Sequence, residues 1–419
     1  MFIFTVASTT ILILLIFLFV KKHLQDTRAI SGLFLKIIAG VVLGLVYKLH
    51  YQGGDTFQYF ADAEVITNYL VAHPLQLFEL YFNTLSIPEV AGQIAYFDQP
   101  RALLFAKIVS FFYLFSGGSY WISGAFLSLI SFITVFVLVQ EIGFWYPGLK
   151  RQAAIAFYFL PSFVFWTSGL LKEGISIGAL FVLIATLLKM IRIEKYADFP
   201  RWIVVLLCTL VLWQLKYFYA AVALPMLIAF FVYSIVNQKK WVPMYVMLLM
   251  IVVGLVVVSQ LHYNLSLAHV KQVIYQNYLI GTGSSGTHAI EYFLFDGGWL
   301  GFIINLPLAT VFGLFRPQLF EAANFFQVVI GFENSLVLLL LVFGVYRYGF
   351  SVNWRDPLLL ITLLYIVCLD IMLAFSTPNF GTLSRYKAGY WPFFVLLVLY
   401  LNSNWPKKKV VKGGFRDSD

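Results

Sequence analysis

Cysteine and charge are what this chain has least of. Its 419 residues include 2 cysteines. Cys208 and Cys368 each lie inside a long apolar segment with no CxxC or Cys/His spacing, which excludes a disulfide framework, a zinc site and dithiol redox chemistry. Charged residues make up 11% of the sequence, under half of the roughly 25% carried by an ordinary soluble domain, and that excludes a soluble globular protein. The histidines are scattered with no HExxH pattern, no GK[ST] follows Gly281-Thr-Gly-Ser-Ser-Gly-Thr-His288, and GxSxG is absent. Zinc hydrolysis, P-loop nucleotide binding and serine-nucleophile chemistry therefore have no motif to rest on. There is no internal repeat, no heptad array and no low-complexity stretch.

What the chain has instead is apolar length: 61% hydrophobic residues and a mean hydropathy of +0.87. A hydrocarbon core about 30 Å thick takes about 20 apolar residues per helical crossing. Eleven runs meet that length: 2–20, 34–50, 121–142, 152–170, 173–192, 202–217, 218–236, 241–261, 325–346, 356–375 and 388–403. The expected fold is an all-α polytopic membrane protein of about 11 spans, or 13 if the shorter runs 102–117 and 298–315 also cross. The first segment has no basic n-region and no small-residue cleavage site, so it reads as a retained span. Residues 1–405 form one expected membrane domain, followed by a basic tail, 406–419, suited to anionic headgroups.

The formal charge is +9, from 28 Lys+Arg against 19 Asp+Glu. The basic residues sit in short patches between apolar runs instead of one stripe, so no nucleic-acid partner is indicated. The clusters are Lys21/Lys22/Arg28/Lys36, Lys150/Arg151, Lys189/Arg192/Lys195/Arg201, Lys239/Lys240, Arg347/Arg355 and the tail. Placing all of them in the cytoplasm puts the N-terminus out and the C-terminus in, with 51–120, 262–324 and 376–388 as outer loops and 102–117 and 298–315 as surface or re-entrant helices. Short loops and the lack of a large soluble domain point to a bacterial inner membrane.

Ionisable residues at membrane spans mark function by default, and on this topology Lys48, Lys172, Glu173, Lys216, Glu333, Asp370, Arg385 and Lys387 lie toward outer ends. The sharpest element is Tyr51-Gln-Gly-Gly-Asp-Thr-Phe-Gln-Tyr-Phe-Ala-Asp-Ala-Glu64. The two glycines permit a tight turn before an interfacial helix whose apolar face is expected at Phe57, Phe60, Ala61 and Val65. Asp55 at its start is either an N-cap or a catalytic or metal-holding carboxylate; Asp62, two turns on, reads as solvated. In Pro161…Lys172-Glu173, Lys172 and Glu173 either pair with each other, cap the next helix, or face a phosphate and a lysine or hydroxyl. Arg385 and Lys387 form an anion clamp or snorkel to headgroups. Asp296-Gly-Gly and Arg316-Pro317 bracket a short helix suited to lining a cavity. Gly281–His288 reads as a flexible loop.

The order of these features resembles the GT-C superfamily of polytopic glycosyltransferases. It comprises Gly54-Asp55 just outside an early span, a surface helix, Leu-Phe-Ser-Gly-Gly before a span, and Pro161…Ser168 with charge at the next outer turn. The likeness covers mainly residues 34–195, and Thr56 stands where the commoner pattern has a second acidic residue. It implies a polyprenyl-phosphate-linked sugar donor, a glycan or lipid acceptor, and Asp55 as general base or ligand of a possible divalent metal. A carboxylate assists deprotonation of the attacking hydroxyl, and cations, here Lys172, Arg316, Arg385 and Lys387, stabilise the departing lipid phosphate. A surface-polysaccharide polymerase and a lipid-linked glycan transporter or flippase remain alternatives.

Overall fold

The computed structural model describes residues 2–82, 88–239, 242–261, 266–285, 289–349, 353 and 355–403. The tail 406–419, Lys240 and residues 286–288 lie outside the described residues. Among the described residues the chain is all-helical, apart from an isolated antiparallel bridge between Ala289 and Asn379.

Seven helices are long and apolar enough to cross a membrane, and they identify an integral membrane protein. They are α1 (Phe2–Lys22), α2 (Thr27–Leu49), α7 (Tyr120–Trp145), α10 (Lys172–Arg192), α11 (Phe199–Lys239), α15 (Phe325–Tyr348) and α16 (Pro357–Ser376). Three shorter apolar helical stretches accompany them, Met244–Val257 within α12 (Met244–Leu261), α14 (Trp299–Phe315) and α18 (Trp391–Leu401). The remaining helices are α3 (Asp55–Ala72), α4 (Leu77–Phe82), α5 (Pro88–Ala91), α6 (Pro100–Phe115), α8 (Lys150–Tyr158), α9 (Pro161–Trp166), α13 (Leu267–Ser285) and α17 (Phe380–Lys387).

Two expected spans differ in kind. The run 152–170 is two short helices, α8 and α9, because Pro161 supplies no N–H and disfavours helical geometry in the residue before it. The runs 202–217 and 218–236 are continuous in α11, broken only at Lys216 with φ −147° and ψ 69°. The expected loop at Gly281 is instead the last turn of α13 as far as Ser285.

The described residues form two compact, sequence-interleaved units. The first comprises residues up to Leu138, Val164–Val182 and Leu206–Tyr217; the second comprises Val139–Phe163, Leu183–Val205 and residues from Phe218 on.

In the first unit, α3 packs along α6. The buried face of α3 is Thr56, Tyr59, Asp62, Ala63, Ile66 and Thr67; of the apolar stripe expected at the membrane interface, Phe57, Phe60 and Val65 are half-buried and Ala61 is exposed. Tyr59 meets Phe105 edge-on at 5.0 Å, and the Thr67 hydroxyl donates to Ser110 O at 3.1 Å. The non-helical segment 167–171 between α9 and α10 is satisfied from α7: Ser131 donates to Thr167 O at 2.8 Å, and Ser128 accepts from Gly169 N–H at 2.9 Å. Lys36, expected on a cytoplasmic flank, is 2% exposed within α2 and bonds to the Thr167 hydroxyl.

In the second unit, α15 and α8 pack on α18, and α13 and α14 pack on α16. Tyr390 and Trp391 at the head of α18 are 0% and 1% exposed.

Gly169 has φ +63°, and a Cβ there would lie 3.2 Å from Gly40 O. Gly169→Ala combines left-handed strain with a backbone collision, and is expected to cost about 1–3 kcal/mol, read as a lower unfolding midpoint in detergent. An unchanged midpoint would mean that the 167–171 turn is not held as described.

Candidate functional site

The expected site residues fall into two groups, one in each unit: Asp55, Lys172 and Glu173 in the first, and Arg316, Arg385 and Lys387 in the second.

In the first unit the residues converge. Gly54, with φ +71°, is the N-cap of α3 and makes no side-chain cap bond, so Asp55 is the first helical residue and not the cap. Half-buried, its Oδ1 accepts from the Tyr96 hydroxyl at 2.9 Å. One turn on, the Tyr59 ring lies 5.1 Å from that of Tyr96 and 5.0 Å from the Lys172 ammonium, a cation–π spacing. Glu173, fully buried, forms an ion pair with Lys216 at 2.8 Å, the lysine at the break in α11. The next residue, Tyr217, stacks beneath the Arg101 guanidinium at 4.1 Å. The first unit thus holds three separate contacts: Asp55 with Tyr96, Tyr59 and Lys172; Glu173 with Lys216; and Arg101 with Tyr217. Asp62, expected in solvent, is 1% exposed. Its oxygens accept from Gln58 Nε2 (3.0 Å), Ala95 N–H (3.0 Å) and Tyr96 N–H (3.1 Å).

Sequence reasoning missed Tyr96 as the partner of Asp55 and Tyr59 as the ring packed against Tyr96. The spacing of Asp55, Tyr59 and Asp62 does place all three on one helical face, and that was the available signal. The partners on 95–101 had none.

In the second unit the cations are already engaged. Arg316 pairs with Glu321 at 2.5 Å and lies over the rings of Phe312 and Phe380. Glu321 also accepts from Gln318 N–H at 2.7 Å, closing the turn that follows α14. Lys387 is 2% exposed, so it does not snorkel. It donates to Leu314 O and to Asn334 Oδ1, and sits 3.7 Å from the Trp391 ring centre. Burial pushes its ammonium below the ordinary lysine value, opposed by the charges of Asp370 and Glu333. Glu333 accepts from Ser162 N–H (2.8 Å), Ser162 Oγ (2.5 Å) and Trp391 Nε1 (2.5 Å), capping α9 from another helix. Arg385 is half-buried in the last turn of α17.

A metal at Asp55 is not supported by the donor set. The other carboxylate on its helix face, Asp62, has both oxygens occupied by N–H groups, and the described residues contain no cluster of three or more His, Cys, Asp or Glu able to hold an ion.

No known protein family matches the chain, and neither a curated protein nor a solved structure matches it significantly.

Removing one member of a buried ion pair strands the other, at about 3–5 kcal/mol. Glu173→Gln is therefore expected to lower detergent stability by about that amount, and the double substitution Glu173→Leu/Lys216→Met to recover most of it. A double variant as unstable as the single would show that the pair is not what Lys216 depends on.

Proposed function

We propose that this protein is an integral membrane glycosyltransferase that moves a sugar from a polyprenyl-phosphate-linked donor to a lipid or glycan acceptor on the outer side of the membrane. The observation that carries the reading is the setting of Asp55. It is a half-buried carboxylate at the head of a helix, beside tyrosine rings and a lysine ammonium. In the proposed reaction the acceptor hydroxyl gives its proton to Asp55 as its oxygen bonds to the anomeric carbon. The bond from that carbon to the lipid phosphate breaks, and the phosphate leaves with the electron pair. Lys172, whose ammonium lies 5.0 Å from the Tyr59 ring, is the candidate to meet that charge. The half-buried Tyr96 ring offers flat apolar surface with a polar edge, a match to a sugar ring. Asp55 and Lys172 belong to one compact unit and Arg316, Arg385 and Lys387 to the other, and the proposal leans on the first pair.

The test is transfer of radiolabelled sugar from a polyprenyl-phosphate donor pool, in membranes holding wild-type or Asp55→Asn protein at equal amounts. Loss of a general base lowers rate about 10²–10⁴-fold, so product is expected from wild type and not from Asp55→Asn. Full activity in Asp55→Asn would sink the assignment. A ladder of products in place of one addition would favour the polymerase alternative.

The same reading carries eleven crossings in a bacterial inner membrane, with the N-terminus outside and the C-terminus in the cytoplasm. A green fluorescent protein fused to the C-terminus is expected to fluoresce, and alkaline phosphatase fused there to be inactive. The opposite pair of results would reverse the orientation.

A further inference from the structure

Asp62 is a carboxylate with 1% exposure, which is costly to bury unless its oxygens are satisfied. What satisfies them is specific. Oδ1 takes the Ala95 N–H at 3.0 Å and Oδ2 takes the Tyr96 N–H at 3.1 Å, so the two oxygens grip two consecutive amides of the turn before α6. Gln58, one turn earlier on α3, donates to Oδ1 at 3.0 Å and holds the carboxylate in its rotamer. The gripped turn carries the phenol that reaches back to Asp55 Oδ1 at 2.9 Å. Asp55 and Asp62 are seven residues apart, two turns on the same face of α3. The chain from Asp62 through the 95–96 backbone and the Tyr96 ring to Asp55 is thus a closed loop on one rigid helix. The Tyr59 ring, 1% exposed and 5.1 Å from that of Tyr96, packs against the phenol from the α3 side, with Phe105 behind it.

We propose that Asp62 and Tyr96 are positioning residues for Asp55: Asp62 clamps the 95–96 turn, and the clamped phenol sets the rotation of the Asp55 carboxylate. That rotation governs which lone pair a substrate hydroxyl meets, and misplacement by about 1 Å costs on the order of 10²-fold in rate. The catalytic consequence rests on the reading of Asp55 as the base; the clamp itself does not.

Two substitutions and their combination test it in the full-length protein. Tyr96→Phe removes the hydroxyl and keeps the ring against Tyr59, so it carries the test even if Asp62→Ala folds poorly. The first readout needs no substrate: the rate at which dicyclohexylcarbodiimide modifies Asp55, followed by peptide mass. A hydrogen bond to a charged group is worth about tenfold or more, so both Tyr96→Phe and Asp62→Ala are expected to raise that rate about tenfold. Since both act through one hydrogen bond, the double variant is expected to match either single. Amide exchange at Ala95 and Tyr96 is expected to speed up about tenfold in Asp62→Ala and to stay unchanged in Tyr96→Phe. In the transferase assay, with a radiolabelled polyprenyl-phosphate sugar as probe, kcat is expected to fall about tenfold in each single variant with KM within about twofold.

Unchanged Asp55 labelling in Tyr96→Phe overturns the proposal. So does an Asp62→Ala effect that persists undiminished in the Tyr96→Phe background, because a merely structural aspartate would add its loss there. Wild-type protein with no transferase activity would overturn the function proposed above, and the labelling and exchange rates would still decide the clamp.

Discussion

A chain with this little charge has to satisfy its own backbone wherever a helix stops, because hydrocarbon offers no hydrogen bonds. That constraint places most of the polar side chains described. The break between α9 and α10 is held by Ser128 and Ser131. The N-terminus of α9 is capped by Glu333, the last turn of α14 by Lys387, and the turn beyond it by Asn334, whose amide donates to Pro317 O at 2.8 Å. The break in α11 occurs at Lys216, which is ion-paired to Glu173. At these breaks a polar or charged side chain from another helix answers the backbone or the side chain that the break leaves.

It follows that most ionisable residues near the ends of these helices are structural ties. A buried ion pair is weak evidence of net stability, because desolvation offsets much of its attraction, but breaking one is expensive. Arrangements such as Glu173 with Lys216, or Glu333 with Ser162 and Trp391, therefore fix which helices meet. They resist change whether or not they touch a substrate. Membrane-embedded charge signals function by default, and here Lys387 and Arg316 also close helix ends and turns.

The sequence carried the class of fold and most of its helices, because span length is set by bilayer thickness and reads directly from apolar runs. It also carried the break at Pro161 in principle, since proline's missing N–H is local. It could not carry the partners. Lys36 was counted with a basic flank because charge near Lys21 and Lys22 looks like a flank, and only the packing of α2 on the 167–171 turn takes it inside. Asp62 looked solvated because its neighbours Ala61 and Glu64 are small or charged. The residues that bury it, Ala95 and Tyr96, lie 33 and 34 positions away with no periodicity linking them to α3. The inward face of α3 carries Thr56, Asp62 and Thr67 among Tyr59, Ala63 and Ile66, because each polar group there is answered by another segment: Thr56 by Tyr120 of α7, Asp62 by the 95–96 turn and Thr67 by Ser110 of α6.

What separates Asp55 from the other carboxylates is the kind of partner it has. Glu333 is met by a backbone amide, a hydroxyl and an indole, and Asp62 by two backbone amides and a glutamine side chain. Asp55 is half-buried and is met by a phenol at the tip of a side chain, whose ring is itself held by a second tyrosine. The two aspartates on one helix face thus divide the labour. The buried one takes the amides and fixes the turn, and the other, at the head of the helix, accepts the phenol that the turn carries.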